Sequence, residues 1–179
     1  TPAWCHEIGQ AICGVVELFI GSQLVDTTYA QWNVIWNELN LSESKRRGYE
    51  VLCGAEVDRS TSAAATGQAL MAANDASVER KYFVPLNFWF CRNPGSALPL
   101  IALQYHQVKI KVHFPSFKNC INVFSPAGAI RVGPANYDVN TNPGTLKIQL
   151  CLDYVFLTQA ERQRFASYDH DYLIETVQS

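Results

Sequence analysis

Residues 85–114 read PLNFWFCRNPGSALPLIALQYHQVKIKVHF, and this stretch indicates the fold class more strongly than any other part of the chain. It opens with an aromatic run at 88–90, which predicts a strand that ends at the turn residues 92–95. From residue 108 apolar and polar side chains alternate, and the apolar set is Val108, Ile110, Val112 and Phe114. A period of two places one set in a core and the other at the surface. The stretch therefore predicts a structural role for these residues, since it holds no nucleophile motif, ligand cluster or phosphate loop.

The composition limits the classes of protein that this chain can represent. Its 179 residues suit one domain, or one domain and the start of another. Charged residues make up 17%, below the roughly 25% of ordinary soluble domains, which indicates a surface partly covered by other molecules. The net charge of −2 argues against direct nucleic-acid binding. No run of about 18 apolar residues predicts a membrane span. The chain begins at Thr1 without Met and ends in an apolar segment, so we expect a piece of a longer polypeptide.

Periodicity predicts strands joined by short helices. Residues 16–26 predict a hairpin with a two-residue turn at Gly21-Ser22, and 146–156 and 172–178 predict further strands. Two sequences resemble capping boxes, at 28–31 and 158–161, and each predicts the start of a helix. On the first helix the apolar stripe is Trp32, Ile35, Trp36 and Leu39, which we expect to pack against a sheet.

Three further segments complete this assignment. A short helix is predicted from Ser42 to about Gly48. Residues 55–80 and 115–144 predict long loops. The predicted fold class is all-β, a sandwich or jelly roll with short helices in the connections.

Residues that could carry chemistry do not form a recognised catalytic or metal-binding pattern. The histidines His6, His106, His113 and His170 lack the spacing of a metal site or a catalytic motif. The six scattered cysteines contain no C-x-x-C pair, so free thiols are favoured over zinc or disulfides. Cys91 beside Arg92 is weighed as an activated thiolate, although packing is favoured. Asn40 begins the single N-glycosylation sequon, and no cofactor is predicted.

Several blocks resemble a known family. These blocks are VELFIGSQLVD at 16–26, WNVIWNEL at 32–39, PLNFWFCRNPGSALPLIALQYH at 85–106, LDYVFLTQAERQRFA at 152–166 and HDYLIE at 170–175. In this order they resemble the major capsid protein of large nucleocytoplasmic DNA viruses, of the algal-virus and giant-virus type. Ala160 departs from the acidic residue that members often carry before the Glu-Arg pair.

The resemblance implies a structural coat protein and not an enzyme. It implies a double jelly roll whose homotrimers form pseudo-hexameric capsomers of an icosahedral capsid. Residues 1–157 would be the first jelly roll, lacking its opening strands, and 158–179 the connection into the second. Implied partners are neighbouring capsomers and minor capsid proteins, with indirect contact to an inner viral membrane. The implied location is the virion, assembled in the host cytoplasm, with the long loops as candidates for its outer surface or subunit contacts.

Two other classes remain open at this point. A carbohydrate-binding jelly roll would need an exposed aromatic platform, for which Trp32 and Trp36 are the candidates. An enzyme would use Cys91 or Cys120 with a nearby histidine in space.

Overall fold

A computed structural model of the chain describes residues 2–54, 79–123 and 146–176. Within these ranges the strands are β1 (Pro2–Trp4), β2 (Val15–Ile20), β3 (Gln23–Tyr29), β4 (Val108–His113) and β5 (Ile121–Val123). The helices are α1 (Ile8–Ile12), α2 (Ala30–Asn40), α3 (Glu43–Cys53), α4 (Trp89–Arg92) and α5 (Gln159–Ser167). Two 3-10 turns lie at Pro94–Ser96 and Phe117–Cys120. The elements form two compact units, each assembled from separate pieces of the chain.

Unit 2 contains described residues 15–28, 86–112 and 146–176, and its centre is a three-stranded sheet in the order β3-β2-β4. The predicted hairpin is confirmed, because β2 and β3 are joined at Gly21 and Ser22. Gly21 has φ +65°, the left-handed conformation that glycine adopts at low cost in tight hairpin turns. Val16 and Leu18 of β2 are fully buried and anchor the core of this unit.

Strand β4 confirms the alternation that the sequence predicts. Val108, Ile110 and Val112 are partly buried, whereas Lys109 and Lys111 are exposed. Phe114, expected on the inner face, lies beyond the strand and is exposed.

The aromatic run forms a helical turn, so the predicted strand at 88–90 is wrong. Residues Trp89–Arg92 form α4, which begins after the fully buried Phe88. The rings of Phe88 and Phe90 stack with centroids 5.4 Å apart, and Trp89 meets Phe90 edge to face at 5.2 Å. Aromatic residues favour strands chiefly because they pack well on half-buried surfaces. Here the aromatic rings pack against one another, and a helical turn forms in place of strand hydrogen bonding.

Unit 1 contains described residues 2–14, 29–54, 79–85 and 113–123. Strands β1 and β5 pair antiparallel in it, with Trp4 opposite Ile121. The second helix, predicted to end near Gly48, continues to Cys53 as α3 and ends at Gly54, whose φ is +74°. A glycine in this conformation terminates helices because its missing Cβ removes the steric penalty. The space beside Gly54 is filled by Ile8 and Tyr82.

Helix α2 forms where predicted, but its buried face is the polar one. Its N-cap is Tyr29 without a side-chain cap, so the expected capping box at 28–31 is wrong. Its buried residues are Asn33 and Asn37, while Ile35 and Leu39 of the apolar stripe are 49% and 76% exposed. Ile35 and Leu39 are therefore not packed in a core among the described residues, whereas Trp32 and Trp36 are partly buried.

The predicted strands at 146–156 and 172–178 are not formed within the described residues. Residues 146–157 and 171–176 carry no helix or strand, and apolar side chains from both alternating sets are exposed along 146–156. The helix between them is confirmed as α5, with a complete capping box between Thr158 and Glu161. Most of the predicted loops at 55–80 and 115–144 lies outside the described residues, as does 177–179.

Candidate functional site

A buried polar network joins α1, α2 and α3 in unit 1. The Tyr49 hydroxyl accepts hydrogen bonds from Gln10 Nε2 at 3.3 Å and from Asn37 Nδ2 at 2.7 Å. Burial raises the pKa of Tyr49, and it raises the pKa of Cys53 to about 11. Both groups therefore stay neutral at physiological pH. The network gives the buried Asn37 amide of α2 the partner that a buried amide needs.

Glu7 lies beside this network in a strained backbone conformation. It has φ 52° and ψ 47° before the first turn of α1, a left-handed region that side-chain-bearing residues adopt at a cost. Its side chain is 8% exposed, and its Oε2 has no hydrogen-bond partner among the described residues. The pKa of Glu7 is raised, and burial is the largest cause. The charge of His6 lowers this pKa, whereas the nearby Glu38 and Glu50 raise it further.

Replacing Glu7 with glutamine should remove a pH dependence of stability. Because the folded-state pKa of Glu7 is raised, its protonated form stabilises the fold below the unfolded pKa, and this contribution is lost as pH rises through the folded pKa. We expect Glu7→Gln to be more stable than the parent at pH 8 by about 1–2 kcal/mol, the scale of a buried unpaired charge. Urea unfolding between pH 4 and 8 measures the difference.

Glu43→Gln is the matched control for this measurement. The Glu43 side chain is 91% exposed and pairs with Arg46 at 3.4 Å, so its replacement should leave the pH slope nearly unchanged. Equal slopes for Glu7→Gln and the parent would contradict the prediction.

A pocket of about 410 Å³ opens beside Glu7 and Gln10 in unit 1. Ala11, Val34 and Pro115 contribute apolar walls, and His6 and Asn119 add polar atoms. This size lies within the roughly 300–1,000 Å³ range of small-ligand sites.

Unit 2 presents a long apolar surface. Six apolar side chains at alternating positions are between 53% and 88% exposed: Leu146, Ile148, Leu150, Leu152, Tyr154 and Phe156. Single exposed apolar residues are ordinary, but a contiguous set marks an interface. The segment leads directly into α5, which buries none of its residues.

An ion pair fixes the region after α5 to the aromatic turn. Arg92 bonds Glu175 Oε2 at 3.0 Å and the Asn87 carbonyl at 3.2 Å. His170 lies against Phe165, with ring centroids 4.7 Å apart and its Nε2 3.0 Å from the Phe165 carbonyl oxygen. The Arg92 guanidinium is thus engaged in an ion pair with Glu175 and is not reserved for stabilising a Cys91 thiolate.

The candidate catalytic and metal-binding residues of the sequence do not lie together in one site of the described chain. All six cysteines are free thiols; Cys120 is buried and Cys91 is exposed. Desolvation raises the pKa of the Cys91 thiol more than Arg92 lowers it, which disfavours a thiolate at this position. Burial also raises the pKa of Cys120. In the described parts of the chain, no cluster of three histidine, cysteine or acidic residues could hold a metal ion.

The two tryptophans and Asn40 lie on α2. The rings of Trp32 and Trp36 are 6.0 Å apart and tilted by 46°, so they do not form the flat platform that a sugar-binding surface needs. Asn40 is exposed at the end of α2, where its amide donates to the Trp36 carbonyl at 2.9 Å. Its glycosylation stays a prediction.

None of the described helices is long and apolar enough to cross a membrane.

Sequence reasoning missed Glu7 and Gln10. Glu7 follows His6 in a stretch of weak helical spacing, and an acidic residue there gives no sign of burial. The left-handed conformation and the packing of three helices create that burial, and no local pattern encodes either.

Comparison with known proteins identifies the chain. Residues 1–158 match the family described as major capsid protein N-terminus. The chain belongs to this family. The resemblance to capsid proteins of large DNA viruses is therefore confirmed.

Curated capsid proteins of several viruses are similar to this chain over most of its length. The major capsid protein of Phaeocystis pouchetii virus is 38% identical over 98% of the chain and 35% of its own length. That of Pyramimonas orientalis virus is 39% identical over 99% of the chain and 38% of its own length. That of Paramecium bursaria Chlorella virus 1 is 34% identical over 91% of the chain and 31% of its own length. The chain thus spans about a third of these relatives.

Solved capsid structures share the fold. The crystal structure of PBCV-1 VP54, fitted into a reconstruction of the virophage Sputnik, matches at TM-score 0.66 and 28% identity, over 99% of this chain and 37% of its own. A quasi-atomic model of the PBCV-1 virus capsid matches at TM-score 0.67 and 28% identity, over 98% of this chain and 36% of its own. These relatives are capsid proteins, in agreement with the structural coat role that the resemblance implies.

Proposed function

We propose that this major capsid family chain is part of a viral coat protein whose homotrimers form pseudo-hexameric capsomers of an icosahedral shell. Family membership and the similarity to virus capsid structures support a structural role in the virion. The observation that carries the proposal is the exposed alternating apolar segment 146–156. Such a segment is stable in water only when other strands or subunits cover it.

The jelly roll is the architecture that best accounts for this segment. Its residues alternate with the period of a strand, yet no strand pairs with it among the described residues. A jelly roll brings two sheets face to face, so further strands of the complete polypeptide would pair with 146–156 and bury one of its sides. We propose that 1–157 belong to the first jelly roll and that 158–179 form the connection into a second.

The surroundings of this coat protein follow from the same proposal. Its neighbours would be other capsomers and minor capsid proteins, with only indirect contact to an inner membrane, and assembly would take place in the host cytoplasm. The low share of charged residues, 17%, suits a surface largely covered by neighbours. The loops at 55–80 and 115–144 are candidates for the outer surface or subunit contacts.

The first test is the mass of the complete protein in solution, measured by light scattering behind a sizing column. We expect a trimer that stays associated on dilution, because capsomer subunits bury large shared surfaces. The control is binding to a panel of glycans, which should be negative. A monomer that binds sugars would contradict the coat role and favour a lectin-like module instead.

A further inference from the structure

Two cysteines lie opposite each other at the end of the short ladder in unit 1. Strands β1 and β5 pair antiparallel with Trp4 opposite Ile121. The register continues one step further, because the Cys5 N–H donates to the Cys120 carbonyl oxygen at 2.9 Å. Side chains at opposite positions of a ladder lie on the same face. Cys5 and Cys120, both free thiols in this structure, are therefore neighbours across the ladder.

The backbone spacing at this position suits a covalent link. Opposite residues joined by a ladder hydrogen bond have Cα atoms about 5.5 Å apart, and disulfides join residues whose Cα atoms are roughly 4.4–6.8 Å apart. Opposite Cβ atoms are about 5 Å apart in a ladder, slightly farther than the roughly 4 Å of a disulfide. Cys120 ends a 3-10 turn and precedes β5, so closing this gap leaves the three residue pairs of the ladder intact.

The other cysteines are not placed in this way, since none of the described strands contains one. Cys91 and Cys151 belong to unit 2. In unit 1 the Cys53 thiol donates to the Phe83 carbonyl oxygen at 3.5 Å. Cys13 lies near enough to Cys53 to affect its pKa, so these two thiols are the competing pair that a test must distinguish.

We propose that Cys5 and Cys120 form a disulfide when the protein meets an oxidant of the small-molecule disulfide class. The Cys5 thiolate attacks the oxidant and releases one small thiolate, and the Cys120 thiolate then attacks the Cys5 sulfur and releases the second. Each released thiolate takes up a proton that a cysteine has lost, so one oxidant becomes two thiols. Cys5 attacks first because it is partly exposed, whereas Cys120 is 2% exposed and burial raises its pKa.

The linkage would hold β1 in place. Among the described residues β1 pairs with β5 through three residues, and two-stranded pairing alone is marginal in water. A disulfide between positions far apart in the sequence restricts the unfolded chain strongly. Disulfides persist at virion surfaces, whereas cytosolic thiols stay reduced. This virion setting rests on the proposed coat function, but the linkage itself does not, so its test and the mass measurement fail independently.

Peptide mapping of the complete protein tests the linkage. The folded protein is incubated with oxidised glutathione at mildly alkaline pH, and the remaining thiols are blocked with N-ethylmaleimide. The digest is then analysed by mass spectrometry without reductant. We expect a linked peptide pair that joins Cys5 to Cys120 and that disappears after reduction.

Two variants and one control locate the reacting thiols. Cys5→Ser should abolish the linked pair, and so should Cys120→Ala, which keeps a small apolar side chain at the buried position. In Cys120→Ala oxidation should stop at a glutathione adduct on Cys5. Oxidation should raise the Tm of the parent by at least about 3 °C, and Cys5→Ser should lose this rise. Cys91→Ser, a control in unit 2, should keep both the linkage and the rise.

Three results would overturn the proposal. They are the absence of a linked pair containing Cys5, a linked pair that joins Cys13 to Cys53 instead, and a rise in Tm on oxidation that persists in Cys5→Ser.

Discussion

The substitution Ile148→Lys should strongly destabilise the complete protein. Ile148 belongs to the alternating apolar set of 146–156 and is 58% exposed in the described chain. If further strands cover this set in the complete protein, a lysine at 148 places an unpaired charge in a sheet interface. We expect a loss of more than about 3 kcal/mol in the free energy of unfolding, measured by urea denaturation.

The neighbouring residue supplies the control for Ile148→Lys. In a strand Gln149 would point to the face opposite Ile148, so Gln149→Lys introduces the same side chain on the other side. Its expected effect is within about 0.5 kcal/mol. In the isolated 179-residue chain the apolar set is uncovered. There Ile148→Lys should reduce self-association more than Gln149→Lys does. Equal effects of the two substitutions in the complete protein would exclude a one-sided burial of this segment.

A second large effect is expected at the end of α3. A Cβ at Gly54 would lie 2.7 Å from Ile8 Cγ2 and 2.7 Å from Tyr82 Cε1, at a backbone φ of +74°. Gly54→Ala therefore combines backbone strain with a collision in the core, and we expect a loss of about 2–4 kcal/mol in stability. Thermal and urea unfolding of the complete protein measure it.

The same helix contains the matched control, Gly48→Ala. Gly48 lies inside α3, and a Cβ there meets no atom within 4 Å. Alanine favours a helix interior by about 1 kcal/mol over glycine, so this variant should be more stable than the parent. An unchanged stability of Gly54→Ala would contradict the prediction, because it would show that rearrangement relieves the collision.

The elements that the sequence predicted well are those governed by local rules. The hairpin at 15–29 follows from alternation and a glycine able to adopt φ +65°. Strand β4 follows from strict alternation, and the start of α5 from the reciprocal bonds of Thr158 and Glu161. In each case a few neighbouring residues contain the whole physical cause.

The wrong predictions depend on distant partners. The polar face of α2 is buried because Tyr49, twelve residues beyond Asn37, accepts its hydrogen bond. The aromatic run at 88–90 packs on itself instead of extending. The segment 146–156 has the pattern of a strand, but a strand also needs a neighbour to pair with. The family resemblance is confirmed, whereas no local pattern in the sequence indicates the polar pocket.

The order of strands in unit 2 has a consequence for folding during translation. Strand β2 lies between β3 and β4, yet β3 follows it at once and β4 begins only at Val108. One edge of β2 therefore stays open while the intervening polypeptide is translated. Pairing over such a sequence separation is slow, and open edges invite intermolecular association. The nascent chain thus passes through a stage in which a chaperone that shields strand edges would improve the yield of folded protein.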